Sequence, residues 1–202
     1  MALDERMDIQ ELDRRAVELS KSLVAAVTPR QLSLPTPCAE WDLAALLAHM
    51  TVQHHGFARA VAGERTEVAD WRPVSIADDP VGQYQKAADR VIASFTADGA
   101  LTRTAYLPEI RGGISVPGRT AISFHFIDYV VHGWDVAATL GLPFDVADDV
   151  LDASLAVAAQ VPDDTASRRP GMAFGQKLPE PSNATKLDRV LTMLGRSPMW
   201  PN

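Results

Sequence analysis

The chain has 202 residues, of which 47% are hydrophobic, and a formal net charge of -7. This size and composition exclude a disordered or fibrous chain and are sufficient for a substantial core. Nucleic acid and anionic membranes repel an acidic protein, so small molecules or other proteins are the expected partners. No apolar run reaches the roughly 18 residues of a membrane span, and the charged N-terminus is unlike a secretory signal. Together with the single cysteine, Cys38, these features predict a cytoplasmic protein.

The spacing of apolar residues predicts four long amphipathic helices, at residues 9–27, 41–63, 80–98 and 120–140. Between the third and fourth helices, a stretch with a Gly-Gly turn predicts either a short β-hairpin or an irregular crossover. A fifth helix is expected at 145–160. A loop rich in proline, glycine and serine then leads to a short last helix at about 184–194.

These elements predict an all-α fold, a four-helix bundle with one long crossover. We expect the bundle to occupy residues 1–165. Residues 166–202 are predicted to form a C-terminal loop and short helix that pack on the bundle.

The fourth predicted helix contains the stretch "HFIDYVVHGWD", which is apolar over most of its circumference. At about 100° per residue, its four ionisable side chains fall within an arc of roughly 80°. These side chains are His125, Asp128, His132 and Asp135. A surface helix would show a broad polar face, so this pattern predicts a buried helix that aims its polar groups at one shared interior point.

Asp128 and His132 are four residues apart, so their side chains are neighbours that could bind one ion together. A third ligand should come from a facing helix, and the second helix supplies His49. Two imidazoles and one carboxylate leave open coordination positions, as in catalytic zinc or non-haem iron sites. His125 could support the ligands or replace one, and Asp135 could orient His132 or pair with an arginine. The alternative is a hydrogen-bonded Asp-His pair without an ion.

Two further features near the second helix have both a chemical and a structural interpretation. Cys38 precedes the helix N-terminus, where the helix dipole favours a thiolate, but a small buried residue in a proline-bounded loop is the simpler interpretation. His54 and His55 could take part in chemistry or could face solvent.

The motifs "TPCAEWD" and "VVHGWD" resemble those of the DinB-like superfamily, specifically metal-binding proteins of the mycothiol-dependent maleylpyruvate isomerase N-terminal-domain type. The resemblance covers most of the chain and is to the short, single-domain branch. It implies a DinB-like four-helix bundle with a metal held by His49, Asp128 and His132. By this resemblance Asp128 stands where the isomerases carry a glutamate, and we expect the chain to lack their full C-terminal domain.

The resemblance implies an enzyme that uses a divalent metal ion, with zinc expected, and mycothiol as a thiol cofactor. The reaction would be isomerisation or S-transfer on a small electrophilic substrate, with His125 or His54 moving protons. A non-catalytic metal-binding or ligand-binding bundle is the alternative, and a buried Asp-His network without an ion is a third interpretation. The pattern is compatible with a homodimer.

Overall fold

A computed structural model describes residues 8–38, 41–76, 78–164, 168 and 173–201. Within these residues the chain forms six α-helices and one antiparallel pair of strands. The elements are α1 (Ile9–Val24), α2 (Leu43–Val61), α3 (Pro80–Phe95), β1 (Thr104–Leu107), β2 (Ile114–Pro117), α4 (Gly118–Leu140), α5 (Asp148–Ala158) and α6 (Lys186–Met193). Short 3-10 turns lie at Pro29–Gln31 and Val68–Trp71.

The four long helices form the predicted bundle. Helix α1 packs against α3 and α4, and α2 packs against the same two helices. The core between them is apolar, with Tyr84, Phe95, Phe126 and Tyr129 among its largest fully buried side chains. Helix α4 is buried along most of its length because α1, α2 and α5 all cover it. The prediction of a mainly helical bundle is therefore confirmed.

Local sequence signals account for most of the helix ends. The carboxylates of Asp8, Asp42 and Asp79 accept hydrogen bonds from backbone N–H groups in the first turns of α1, α2 and α3. Gly141 ends α4 in the left-handed conformation, with φ of 65°. Most of the helices are slightly shorter than predicted: α1 ends at Val24 rather than at residue 27, and α5 covers 148–158 rather than 145–160. Helix α4 instead begins at Gly118, two residues before its predicted start.

The crossover between α3 and α4 contains a β-hairpin, one of the two predicted alternatives. Strands β1 and β2 pair antiparallel, with Ala105 opposite Val116 and Leu107 opposite Ile114. Strand β1 contacts both α2 and α4. The hairpin therefore lies against the two helices that carry His49 and Asp128.

The C-terminal part of the chain packs on the bundle through α5. Helix α5 contacts α1 and α4, and α6 contacts α5. The domain boundary predicted between residues 165 and 166 lies outside the described residues. None of the helices in the described part of the chain is both long and apolar enough to cross a bilayer.

A tight turn after α6 positions the residue that follows it. Gly195 has a φ of 77°, and the N–H of Arg196 donates to the carbonyl of Leu191 at 2.8 Å, as in a helix C-cap motif. A Cβ at Gly195 would lie 2.6 Å from the backbone of Gly175. The turn therefore requires glycine for two separate reasons, its backbone conformation and its lack of a side chain.

We predict that Gly195→Ala destabilises the protein by more than Gly141→Ala, which is the matched control. Both positions have a left-handed φ, for which a non-glycine residue loses roughly 1–2 kcal/mol. A Cβ at Gly141 meets nothing within 4 Å, whereas one at Gly195 would clash with backbone. Urea unfolding of the two variants measures the difference, and equal losses would show that the approach of Gly175 is unimportant.

Candidate metal centre

His132 lies between two carboxylates of its own helix, α4. Its Nε2 atom is 3.4 Å from Oδ1 of Asp128, and its Nδ1 atom is 2.9 Å from Oδ2 of Asp135. A carboxylate can only accept, so the hydrogen bond to Asp135 requires a proton on Nδ1. In the neutral imidazole this leaves the lone pair of Nε2 directed toward Asp128. A metal-binding histidine commonly has this arrangement, with its second nitrogen donating to a carboxylate.

His49 of α2 completes a set of three candidate ligands with Asp128 and His132. Each of the three residues offers one ligand atom, and these three atoms all lie within 4.8 Å of one another. Zinc bonds of about 2.0–2.2 Å in a tetrahedral arrangement separate neighbouring ligands by roughly 3.4 Å, the spacing seen between Asp128 and His132. His49 and Asp128 are only partly buried. The donor types, the spacing and the solvent access all fit a divalent ion with free coordination positions.

The environment gives the two histidines opposite proton affinities. Burial, and then the neighbouring His132, lower the pKa of His49 to about 4, so His49 is neutral near pH 7. Burial also opposes protonation of His132, but Asp128 and Asp135 outweigh it and raise the pKa of His132 well above its usual value. Neutral imidazole is the form that binds a metal, and His49 is therefore ready for it.

Asp135 both orients His132 and pairs with an arginine, the two roles considered for it from sequence. The arginine is Arg196, whose Nε donates to Oδ1 of Asp135 at 3.0 Å and whose Nη2 donates to Oδ2 at 3.2 Å. Burial alone would raise the pKa of Asp135, but Arg196 and His132 hold it below its usual value. The Nη2 atom of Arg196 also lies 2.8 Å from the sulfur of Cys38.

Cys38 is thus not merely a small residue in a tight loop. Its sulfur is 3.3 Å from Oδ2 of Asp135 and 4.0 Å from Nδ1 of His132. Cys38, His132 and Asp135 form a second set with metal-ligand spacing. The guanidinium of Arg196 contacts two members of this second set, because its hydrogen bonds within the described part of the chain go to Asp135 and Cys38.

The polar stripe of α4 does not converge on one interior point, so that prediction was wrong. His125 turns toward α1 and α2, where its Nδ1 is 2.6 Å from Oδ1 of Asp13 and its Nε2 is 3.0 Å from Nδ1 of His54. Both histidine rings stack on Tyr129. An 80° arc on a helix inside a bundle faces two different neighbours, and its ends can therefore join different clusters.

The two residues predicted to move protons, His125 and His54, lie in this second cluster. Both are 0% exposed, so the interpretation of His54 as a solvent-facing residue was wrong. The Nε2 atom of His54 is buried without a hydrogen-bond partner among the described residues. Their role in proton transfer stays a prediction.

Of three further residues near the centre, Gln53 and Glu109 carried no recognisable signal in the sequence, and Trp41 was recognised only as part of the motif "TPCAEWD". Trp41 packs its ring on His49, with 4.6 Å between ring centroids. The side chain of Gln53, one turn after His49 on α2, donates to Oε2 of Glu109 at 2.7 Å. Partial burial, outweighing that hydrogen bond, raises the pKa of Glu109, and the charge of Asp128 adds to this. Only the folded hairpin brings Glu109 to this end of α2.

The fold and this cluster define a class of protein: a helical bundle with a His-Asp-His centre between its second and fourth helices. Residues 14–137 match the family profile described as "Mycothiol maleylpyruvate isomerase N-terminal domain". The chain therefore belongs to the mycothiol maleylpyruvate isomerase N-terminal domain family, as its motifs predicted. The matched range includes His49, Asp128 and His132 but ends before Arg196.

Similar proteins agree with this assignment. Two relatives from Mycobacterium tuberculosis, "Uncharacterized protein Rv0738" of strain H37Rv and "Uncharacterized protein MT0763" of strain CDC 1551, are each 30% identical over 196 residues. The match covers 95% of this chain and 99% of each relative. A crystal structure of the mycothiol-dependent maleylpyruvate isomerase shares the fold, with a TM-score of 0.59 and 15% identity over 87% of this chain and 85% of that one. A histidine-to-alanine mutant of that isomerase gives a TM-score of 0.61 with the same identity and coverage.

The buried His54 predicts a specific dependence of stability on pH. Burial, reinforced by the neighbouring His125, holds the pKa of His54 well below 6.5, so the folded protein keeps it neutral in mild acid. The unfolded chain gains this proton below about pH 6.5, and the free energy of unfolding therefore falls with acid by up to about 1.4 kcal/mol per pH unit.

The variant His54→Gln lacks this proton uptake. We expect the stability difference between wild type and variant to shrink by about 1 kcal/mol between pH 6.5 and 5.5, measured by urea unfolding. His55→Gln is the control, because the ring of His55 is only partly buried. A difference that stays constant across this pH range would contradict the prediction.

Proposed function

We propose that this protein is a divalent-metal-dependent enzyme that uses a thiol cofactor. The enzyme either isomerises a small electrophilic substrate or transfers the thiol sulfur to it. The observation that carries the proposal is the position of His132. One ring nitrogen is held by a buried carboxylate, and the other faces Asp128 in a set that includes His49. Membership of a family named for a mycothiol-dependent isomerase supports the choice of thiol.

In this proposal His49, Asp128 and His132 hold the ion, for which zinc is the expected metal. When bound, the ion supplies Lewis acidity that deprotonates a coordinated thiol or lowers the pKa of a bound water to about 7. Binding of the ion requires Nε2 of His132 to give up its proton, and Asp135 keeps the remaining proton on Nδ1.

The surrounding side chains bind and orient the reactants. The ring of Trp41 forms an apolar wall against His49, which excludes water from one side of the centre. Gln53 and Glu109 form a polar edge near Asp128, where they can accept hydrogen bonds from hydroxyl or amide groups of a bound cofactor. Mycothiol, the cofactor implied by the family, is the molecule we propose for this position.

Isomerisation would begin with the thiolate sulfur forming a bond to one carbon of a double bond conjugated to a carbonyl, while the π electron pair of that double bond moves onto the carbonyl oxygen to give an enolate. Rotation about the resulting single bond, re-formation of the double bond from the enolate and loss of the same sulfur as thiolate give the isomer. In S-transfer the sulfur stays attached, and the enolate carbon takes up a proton from the solvent. The prediction that His125 or His54 moves protons requires a path from the centre to their cluster, in which both are fully buried and hydrogen-bonded.

The ligand assignment is tested by metal content. We expect His49→Ala and His132→Ala to weaken zinc binding by more than about 100-fold, beyond the 10–100-fold typical of losing an outer partner. The matched control is His55→Ala, which removes a partly buried histidine from the same helix as His49 and should leave zinc binding unchanged. Chelator competition measures the affinities. If both variants still bind a full equivalent of zinc, His49 and His132 are not its ligands.

The use of a thiol is tested by activity. We expect the zinc-loaded wild-type chain to consume small α,β-unsaturated carbonyl compounds only when mycothiol is present, and His132→Ala to abolish this consumption. Cysteine supplied as a simple thiol is the control for cofactor specificity. Zinc binding without thiol-dependent turnover over a broad panel of electrophiles would instead support a non-catalytic metal-binding bundle.

A further inference from the structure

His132 belongs to two overlapping sets of candidate ligands. Its Nε2 side faces Asp128 and His49, and its Nδ1 side faces Asp135 and Cys38. We call the first group the open set (His49, Asp128, His132) and the second the thiol set (Cys38, His132, Asp135). The two sets use opposite sides of one imidazole ring, so the position of the ion decides which nitrogen becomes the ligand.

Donor chemistry alone would favour the thiol set for zinc or cobalt. A cysteine sulfur is a softer and more strongly bound ligand for these ions than a second imidazole or a carboxylate. Asp135 is also completely buried, whereas Asp128 is partly exposed. Something else must therefore direct an ion to the open set, which keeps free coordination positions.

Arg196 already occupies the thiol set. Its Nε contacts both carboxylate oxygens of Asp135, at 3.0 and 3.3 Å, and its Nη2 contacts Oδ2 of Asp135 and the sulfur of Cys38. The guanidinium is only 7% exposed and stays charged at any physiological pH. A permanent cation thus lies on the donor atoms that a metal ion would need.

We propose that Arg196 is a selectivity residue that excludes metal from the thiol set and so directs it to the open set. The inference rests on the proposed metal-binding function. Arg196 is a positioning residue here, since it acts on the ion through its hydrogen bonds to Asp135 and Cys38.

The C-terminal segment holds this cation in place. The left-handed Gly195 turns the chain after α6, and the backbone N–H of Arg196 is bonded to Leu191. Helix α6 packs on α5, which packs on α4. The backbone of Arg196 is therefore anchored beside the thiol set, and its buried guanidinium reaches Asp135 and Cys38 from this fixed point.

Removing the cation should open the thiol set to metal. If a cobalt ion then binds there, a cobalt–sulfur bond forms, the S–H bond of Cys38 breaks, and its proton is released to the buffer. No oxidant or reductant is needed. Cobalt bound by thiolate shows a near-ultraviolet sulfur-to-metal charge-transfer band, which imidazole and carboxylate ligands do not produce.

The experiment measures cobalt spectra of the wild-type chain, Arg196→Met and Arg196→Met with Cys38→Ser. We expect visible ligand-field bands without a charge-transfer band in the wild type, a charge-transfer band in Arg196→Met, and loss of that band in the double variant. The matched control is Arg189→Met, which removes an exposed arginine of α6 paired with Glu180 and should give the wild-type spectrum.

A charge-transfer band in the wild type, or its absence from a folded Arg196→Met that binds cobalt, would overturn the inference. If Arg196→Met binds cobalt through sulfur and the wild type binds none, Arg196 does exclude metal from the thiol set. The open set is then not the metal site. Absence of cobalt from both chains would overturn the proposed function together with the inference.

A measurement on the wild type alone covers the case in which Arg196→Met does not fold. Alkylation of Cys38 by iodoacetamide should proceed at the same rate with and without zinc, because the sulfur is not a ligand there. Strong protection by zinc would place the ion in the thiol set and contradict the proposal.

Discussion

The interaction on which the rest of the centre depends is the buried carboxylate of Asp135. A charge with no exposed surface is strongly unfavourable unless other groups compensate for its lost hydration. Arg196 supplies the opposite charge, and His132 supplies a further hydrogen bond. The same carboxylate thus fixes the tautomer of His132 and draws the C-terminal segment onto the bundle. Loss of Arg196 would leave an uncompensated charge inside the protein, and loss of His132 would remove a hydrogen bond from that charge, so local chemistry and tertiary packing are coupled at this residue.

Helix α4, which is apolar over most of its surface, contributes side chains to two separate polar clusters. At one, His132 joins Asp128 and His49 at the partly exposed centre. At the other, His125 bonds Asp13 and His54 in the interior, where burial raises the pKa of Asp13 despite the opposing effect of His125. Only the first has donor atoms grouped within metal-ligand spacing. The second is a chain of hydrogen bonds with His125 in the middle, which accords with a structural network rather than an ion site.

The sequence predicted the bundle because its helices are amphipathic and are bounded by recognisable caps. It also predicted that His49 would meet Asp128 and His132, since i, i+4 spacing and the family motifs both indicate this grouping. It did not predict the partner of His125, because angular position on a helix does not reveal which neighbour each edge of a polar stripe faces. Arg196 was equally hidden. Its position depends on the turn at Gly195 and on the packing of α6, neither of which leaves a pattern that points to Asp135.

The spacing of the three candidate ligands has two separate origins. Asp128 and His132 lie on one helix, so their 3.4 Å separation is set largely by helix geometry and their own rotamers. His49 comes from α2, so its distance from the other two depends on how α2 and α4 pack. Strand β1 contacts both helices, and Trp41 packs on His49. The grouping of the three donors therefore depends on the contact between α2 and α4 as well as on the sequence of α4, and the hairpin and Trp41 lie against that contact.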